Sequence, residues 1–339
     1  MRLSGGLGGA ICQRHGYGEN SGLAKCGERC DEHIRDYAER LLRELQLQIE
    51  DKTPGRVLIQ LMFMRRGADS LLELYDSVRK TGEPLDHLSY SHPAIFMVEY
   101  ALAQVMIENG VYPDIVLGTS LGEFASCAVA GVIDWETALE LVAAQADVVQ
   151  QTCEPGGMIA IVSDPAMFEQ TVELHAHTEL AAVNFHSHFV VSGTAEGIRQ
   201  AEAFLTQTRI AHQVLPVRFG FHSASIDAAE TAYKSYLKGI KFNRPQVKQI
   251  SGLYGMGITS LSSDYVWDAV RHPIRFLEAI QRLSPSEHIC VDLGPSGTLA
   301  NFTKHLWKAV SGSGVYSVLS PFQKDLDRLE STIRRIQQE

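Results

Sequence analysis

The sequence predicts an α/β protein, with a mostly parallel sheet covered by helices on both faces and one small inserted subdomain. Three observations lead there. Short apolar segments alternate with helix-periodic ones along most of the chain. Residues 156–219 break that rhythm and run strand, helix, strand, strand, helix, strand, which is the ferredoxin-like order. The chain has 339 residues, enough for about two domains at roughly 150 residues each. Hydrophobic residues make up 45% and charged residues 21%, which excludes wholesale disorder. A core of this size needs no disulfides.

The elements follow in order. Residues 1–55 open Gly-rich, turn charged and helix-like, and stop at Pro54-Gly55. VLIQLMF (57–63) reads as a short buried strand or a helix start. SHPAIFMVEYALAQVMIENG (91–110) reads as an amphipathic helix with Pro93 in its first turn and Gly110 at its end. Ile115-Val116-Leu117 is a short apolar strand, Gly118 to Gly122 a tight turn, and Glu123 to Ala130 a small-residue helix. A further helix starts after Asp134, a good N-cap, and runs to about Gln151.

Within the 156–219 segment, GGMIAIV, LAAVNF, HFVVSG and AHQVLPVRF are the strands. PAMFEQTVELHAH and AEGIRQAEAFLTQT are the helices. Then come the helix ASIDAAETAYKSYLKGI, a polar stretch and a helix around 264–283. The strand HICVDLG, the helix SGTLANFTKHLW, the strand VYSVLS and a C-terminal helix complete the chain.

Gly118-x-Ser120-x-Gly122 carries the strongest chemical signal. A strand before it and a helix after it are the context of a nucleophile elbow. Such a turn lifts the serine above the sheet edge. It also sets the serine beside a helix N-terminus, whose N–H groups can hold an oxyanion. A serine needs a base. His222, in FGFHS, stands where a predicted strand passes into a helix and is the best candidate. Asp227 and Asp292 are candidates for a third member on chemistry alone.

Other features point away from other classes. The formal charge is −10, from 30 basic and 40 acidic residues, so a nucleic-acid backbone is an unpromising partner. The six cysteines lack zinc-site spacing; Cys26 and Cys30 alone make a weak CxxxC. His186-x-His188 has no acidic or thiol companion, so no metal is expected. Gly294-Pro295-Ser296-Gly297 lacks the lysine of a phosphate loop. No apolar run approaches the ~18 residues of a membrane span. The opening residues lack the apolar core of a signal peptide, so a cytoplasmic address is expected.

VLGTSLGEFASCAVAGVIDWETALELV, AVNFHSHFVVSG, FGFHSASID, HPIRF and DLGPSGTLANF occur in this order. Together they resemble the malonyl-CoA:acyl-carrier-protein transacylase family over roughly residues 71–325. Within it, HPAIFMVEYALAQV, LGTSLGEFA and DLGPSGTLA resemble the discrete acyltransferase homologues of trans-acyltransferase polyketide synthases. The resemblance implies an α/β-hydrolase-like body at 56–155 and 220–339, a ferredoxin-like subdomain at 156–219 and a diverged N-terminal segment at 1–55. It implies Ser120 as nucleophile, His222 as general base and a backbone carbonyl in place of a third acidic residue. It places the oxyanion donors at the backbone of Leu121 and of Gly6, within a Ser4–Gly9 run that lacks the family's glutamines. Phe221, of the FH motif, His92 and Asn184 match positions around the acyl group. The partner implied is an acyl carrier protein, which brings its own phosphopantetheine; no cofactor is needed. Arg271, Arg275 and Lys304 are candidates for a basic docking patch facing that acidic partner.

Family members that take malonyl units carry an arginine 25 residues after the serine. Here that residue is Gln145. It shares a helix face with Ala138 and Val142. Arginine would pair bidentately with the malonyl carboxylate, whereas glutamine cannot neutralise it. The expected substrate is therefore a neutral acyl group such as acetyl. Homologues without this arginine resemble acyl hydrolases, which pass the acyl-serine to water. The competing readings are a transferase that loads an acyl unit onto a carrier protein and an inactive scaffold that only docks one.

Overall fold

The structure is a computed structural model and describes residues 9–14, 87–307, 314–319 and 325–338. The segments predicted at 57–63 and within 30–51, and the Gly6 loop, lie outside the described residues.

Among the described residues the larger sheet has six strands, in the order β10-β9-β1-β2-β7-β8. These are β1 (Gly9–Arg14), β2 (Ile115–Gly118), β7 (Lys248–Ser251), β8 (Met256–Ile258), β9 (His288–Asp292) and β10 (Val315–Ser317). The expectation of a parallel sheet is corrected: the sheet is mixed. Only β2–β7 and β9–β10 are parallel. β1 runs antiparallel to both β2 and β9. β8 folds back on β7 through a short turn, a connection too short for a parallel crossover.

Helices cover this sheet on both sides. They are α1 (Leu88–Glu108), α2 (Gly122–Val129), α3 (Trp135–Thr152), α7 (Glu230–Leu237), α8 (Tyr265–Arg271), α9 (Phe276–Ile280), α10 (Thr298–Leu306) and α11 (Asp325–Gln338). Strand alternation explains the two cores. Val116 of β2 packs with α1, α2 and α3, while Ile115 and Leu117 point the other way, to Phe276, Ile280 and Leu299.

The smaller sheet is antiparallel, in the order β4-β5-β3-β6. It comprises β3 (Gly156–Ile161), β4 (Glu179–Phe185), β5 (His188–Thr194) and β6 (His212–Val214). Its helices are α4 (Ala166–Gln170), α5 (Val172–His175) and α6 (Ala195–Gln207). Ile159, Ile161, Phe189 and Val191 pack against these helices. Ala181, Ala182 and Val190 join the main core instead.

Several elements depart from the sequence reading for local reasons. α1 starts at Leu88, so Pro93 lies inside the helix rather than in its first turn. The helix predicted around 264–283 is two, α8 and α9. His272 between them is extended (φ −99, ψ 162), because the ring of Pro273 disfavours helical geometry in the residue before it. The helix predicted from Pro165 breaks at Thr171 (φ −121, ψ 104) into α4 and α5. Residues 224–229 form a 3₁₀ turn that leads into α7. The polar stretch before residue 264 contains β7 and β8. Asp134 caps α3 as expected, its carboxylate accepting from the Thr137 N–H at 2.7 Å.

α2 matters most for the site. It ends at Gly131 (φ +70), where Gly131 N–H reaches Ala128 O and Val132 N–H reaches Cys127 O, a left-handed helix stop. At its other end, β2 passes so close to the helix start that a Cβ on Gly118 would overlap the Gly122 carbonyl and lie 2.6 Å from Glu123 Cα. Gly118→Ala is therefore expected to cost about 1–3 kcal/mol. Denaturant unfolding against the wild type measures it, and an unchanged midpoint would refute the close-approach argument.

Candidate active site

Ser120 sits on the turn between β2 and α2 with φ +55. This left-handed conformation is uncommon and costly for a residue with a side chain. The turn is closed by Gly122 N–H to Thr119 O and Glu123 N–H to Ser120 O, each 3.0 Å. His222, 102 residues further on, is also left-handed (φ +62) and is 1% exposed. The two strained residues meet: His222 Nε2 lies 2.8 Å from Ser120 Oγ.

The tautomer follows from the partners. His222 Nδ1 lies 2.8 Å from the His272 carbonyl oxygen. A carbonyl only accepts, so Nδ1 carries the proton and Nε2 is left as an acceptor for the Ser120 hydroxyl. The His222 backbone N–H donates to Val270 O at 2.8 Å. Both anchors belong to the end of α8 and the extended residue that follows it. That segment is itself tied to the smaller sheet by Ile274 N–H to Ala181 O at 2.8 Å.

Burial pulls the His222 pKa down to about 4. The bond to His272 opposes the shift, and the positive charge of Arg271 adds to it. Such a histidine is neutral and able to accept a proton at any pH above about 4.

Neither acidic candidate for a third member joins the pair. Asp227 is ion-paired with Arg271, which also contacts Glu179 at 3.3 Å. Asp292 accepts from Gly294 N–H at 2.9 Å and Ala300 N–H at 2.8 Å, so it closes the 294–297 turn ahead of α10. Arg271 is correspondingly drawn away from the basic patch expected for it. Arg275 lies 3.6 Å from Glu278, and Lys304 is exposed on α10.

The remaining expected residues fall in different places. Leu121 follows Ser120 directly, and among the described residues no acceptor takes its N–H. Gly6 lies outside the described residues. Gln145 is 1% exposed on α3, and among the described residues neither its Oε1 nor its Nε2 has a hydrogen-bond partner. α3 packs against α2, which begins at the Ser120 turn, and against the 3₁₀ turn that begins two residues after His222. The buried Tyr233 hydroxyl of α7 is near enough to feel the Gln145 amide, yet no bond of normal geometry joins them. Phe221 is buried beside His222, with the His92 ring 5.3 Å away. His92 Nδ1 is shielded and unpartnered, and burial lowers its pKa to about 4.

Asn184 bonds across the β4–β5 hairpin to His188 Nδ1 at 3.0 Å, which is the geometry of a turn support. His188 packs among Phe185 and Phe302 while His186 is exposed. Among the described residues no group of three or more His, Cys, Asp or Glu side chains could hold a metal.

The sequence reading missed Glu123. It is fully buried three residues after the serine. Acidic residues in a first helical turn usually face water, so its position alone gave no signal. Tyr233 was also missed; the resemblance implied a backbone carbonyl on the histidine, but nothing in the sequence picked out that of His272, because every residue carries one.

The depressed histidine pKa makes a pH prediction. Reaction of Ser120 with a fluorophosphonate should persist at pH 5 and be lost only as pH falls through about 4, where His222 protonates. Complete loss of reaction already at pH 5 would mean that His222 is solvated. The same shift affects stability. The unfolded chain binds protons at His222 and His92 that the fold refuses, so stability present above about 6.5 is lost as pH falls toward 4.

A strained serine, a neutral histidine and, beside them, an N–H that no acceptor takes among the described residues are the kinds of group that nucleophilic acyl transfer uses. Comparison with known proteins gives the family. The acyl transferase domain model matches residues 17–339. The polyketide biosynthesis acyltransferase homolog BaeD of Bacillus velezensis is 44% identical over 267 residues, covering 78% of this chain and 82% of that protein. The homolog PksD of Bacillus subtilis is 41% identical over 269 residues, covering 79% and 83%. The acyltransferase domain from the second module of the salinomycin polyketide synthase superposes with a TM-score of 0.69 at 22% identity, covering 92% of this chain and 70% of that one, which shows a shared α/β acyltransferase fold. On the family match and these two relatives, the chain belongs to the acyl transferase domain family.

Proposed function

We propose that this enzyme is a serine-dependent hydrolase that removes short neutral acyl groups, acetyl-like in size, from acyl carrier proteins in polyketide biosynthesis. Ser120 Oγ attacks the thioester carbonyl while His222 Nε2 takes its proton. The Leu121 N–H stabilises the oxyanion, with Gly6 assigned as the second donor. Collapse expels the phosphopantetheine thiol, which receives the proton from His222. The histidine then takes a proton from water, whose oxygen attacks the acyl-serine; collapse breaks the bond to Ser120 Oγ, which regains its proton from His222, and releases the carboxylic acid. No further cofactor is required, and the enzyme acts in the cytoplasm.

The observation that carries the neutral-acyl reading is Gln145. Its amide is buried between the helices that follow Ser120 and His222, with both polar atoms unpartnered. A malonyl carboxylate placed there would meet no positive charge from residue 145. Leaving a buried carboxylate unpaired costs about 3–5 kcal/mol, or several hundredfold or more in binding. Phe221, next to His222, and His92, whose ring lies 5.3 Å from it, are likewise neutral.

The family's own activity favours a second reading, transfer of a neutral acyl group to another carrier protein, which shares the first half-reaction. The ordered Ser120–His222 pair disfavours an inactive scaffold. We further assign residues 156–219, whose sheet order supports it, as a ferredoxin-like subdomain set into an α/β-hydrolase-like body at 56–155 and 220–339, after a diverged segment at 1–55.

Intact-protein mass spectrometry tests this directly. Acetyl-loaded or malonyl-loaded carrier protein is incubated with the enzyme or Ser120→Ala, with an unloaded second carrier protein present. Loss of acetyl to free acetate, with malonyl spared, is expected. Acetyl appearing on the second carrier would make the enzyme a transferase, and rapid malonyl transfer would refute the role of Gln145. In Gln145→Arg, preference for malonyl over acetyl should rise by about 100-fold or more. Unchanged preference would show that residue 145 does not meet the acyl group.

A further inference from the structure

Glu123 is a buried carboxylate that the proposed reaction does not use. Its amide donates to Ser120 O at 3.0 Å, so it is fixed to the nucleophile's turn. Its side chain leads away from that turn in two directions. Oε1 accepts from Gly252 N–H at 2.6 Å and Leu253 N–H at 3.3 Å, with Ser251 Oγ at 3.5 Å. Oε2 accepts from the Tyr265 hydroxyl at 2.7 Å. Tyr265 is the first residue of α8 and is 1% exposed.

α8 also holds the base. Its Val270 carbonyl takes the His222 N–H, and the next-but-one residue, His272, takes the imidazole Nδ1–H, both at 2.8 Å. A closed circuit results, running from Ser120 to Glu123, Tyr265, α8 and His222, and back through the 2.8 Å bond to Ser120 Oγ. Glu123→Tyr265 is the direct side-chain link between the element that carries the nucleophile and the element that orients the base.

We propose that Glu123 is a positioning residue that, through Tyr265, sets the Ser120 turn at hydrogen-bonding distance from His222. The inference rests on the dyad reading above but not on the identity of the acyl group.

The chemistry of the site favours this over a packing role. An apolar side chain would fill the space without the cost of burying a charge. A carboxylate instead accepts from several donors at once, and here they come from two separate segments, 251–253 and α8. The ionisable groups around it are Tyr265 of α8, Cys127 of α2 and Tyr254 after β7, all neutral at pH 7. Burial raises the Glu123 pKa to about 7, while the donors pull it back. Above that pH all its donors are engaged. Below it, the carboxyl proton removes one acceptor position and the link slackens.

Fluorophosphonate labelling of Ser120, followed by intact mass, reads nucleophile activation without a carrier protein or an acyl group. Wild-type labelling with none in Ser120→Ala supports the dyad whatever the substrate; no wild-type labelling would sink the dyad and this inference together. In Glu123→Gln the inactivation rate constant should fall about 10- to 100-fold while the probe's apparent KI holds, because misalignment slows attack rather than binding. The wild-type rate should step up through about pH 7, and this step should vanish in Glu123→Gln. Tyr265→Phe should slow labelling in the same way, and the double variant should be no slower than the slower single one. If Glu123→Gln does not fold, Tyr265→Phe with its melting temperature decides alone. Wild-type labelling in a folded Glu123→Gln, or a normal rate in Tyr265→Phe, would overturn the inference.

Discussion

The 2.8 Å contact between His222 Nε2 and Ser120 Oγ is the constraint on which the rest of the structure depends. Both residues occupy the left-handed region, where each costs on the order of 1–3 kcal/mol. Neither conformation would persist in a loose loop. Ser120 is held because β2 is paired on both sides and α2 starts immediately, with Gly118 permitting the close approach. His222 is held at its backbone by Val270 and at its ring by His272. The extended conformation of His272, which turns its carbonyl toward the ring, follows from Pro273. A helix continued through residue 272 would have spent that carbonyl on its own ladder.

The polar groups of the core then divide by whether they are satisfied. Glu123 and Asp292 are buried and partnered, and at the surface the exposed Asp227 and Glu179 converge on Arg271; each pins a segment that leads to the site or supports it. Gln145, Tyr233 and His92 Nδ1 are shielded yet unpartnered. Buried polar groups without partners are rare, because each forfeits about 1–3 kcal/mol. On the proposed function, Gln145 of α3, Tyr233 of α7 and His92 of α1 offer an acyl group neutral polar atoms rather than charges. An all-apolar wall would hold an acyl chain but could not orient it, and a charged wall would select a carboxylate.

How much of this could be read in the sequence depended on whether a residue's role is local. Ser120 was legible because strand, glycine turn and helix are contiguous. His222 was legible as a histidine at a strand-to-helix junction and as part of the FH motif, though only the fold closes the 102 residues between the two. Gln145 was legible from its distance to Ser120 and its helix face. The strand β7 was not, because Lys248-Gln249-Ile250-Ser251 is only four residues long and carries three polar side chains. Lys248 is exposed, and the other two are buried for specific reasons: Gln249 bonds Ser126 and Ser251 bonds Tyr265. Arg271 looked like part of a docking patch because charge alone does not show that two acidic residues from other elements converge on it. The parallel sheet failed as an expectation because local patterning does not fix the direction of pairing, and β1 had been read only as a Gly-rich opening.

The carbonyl that orients His222 has a further consequence. A carboxylate in its place would stabilise the imidazolium and raise the histidine pKa. The carbonyl does so less, and burial leaves the pKa near 4. A base this weak gives little help in taking the Ser120 proton, and would serve badly against an unactivated amide carbonyl. A thioester is different. Its thiol has a pKa of about 8.5 and leaves readily, and its carbonyl is already activated. The imidazolium formed by taking the Ser120 proton is a strong acid in this site, so it passes that proton promptly to the departing sulfur. In the second half-reaction the same property returns the histidine to its neutral form as soon as the acyl-serine collapses. On the proposed reaction, a dyad without an acidic third member suits an acyl group delivered on sulfur, with the carbonyl of a single pre-proline residue holding its histidine in register.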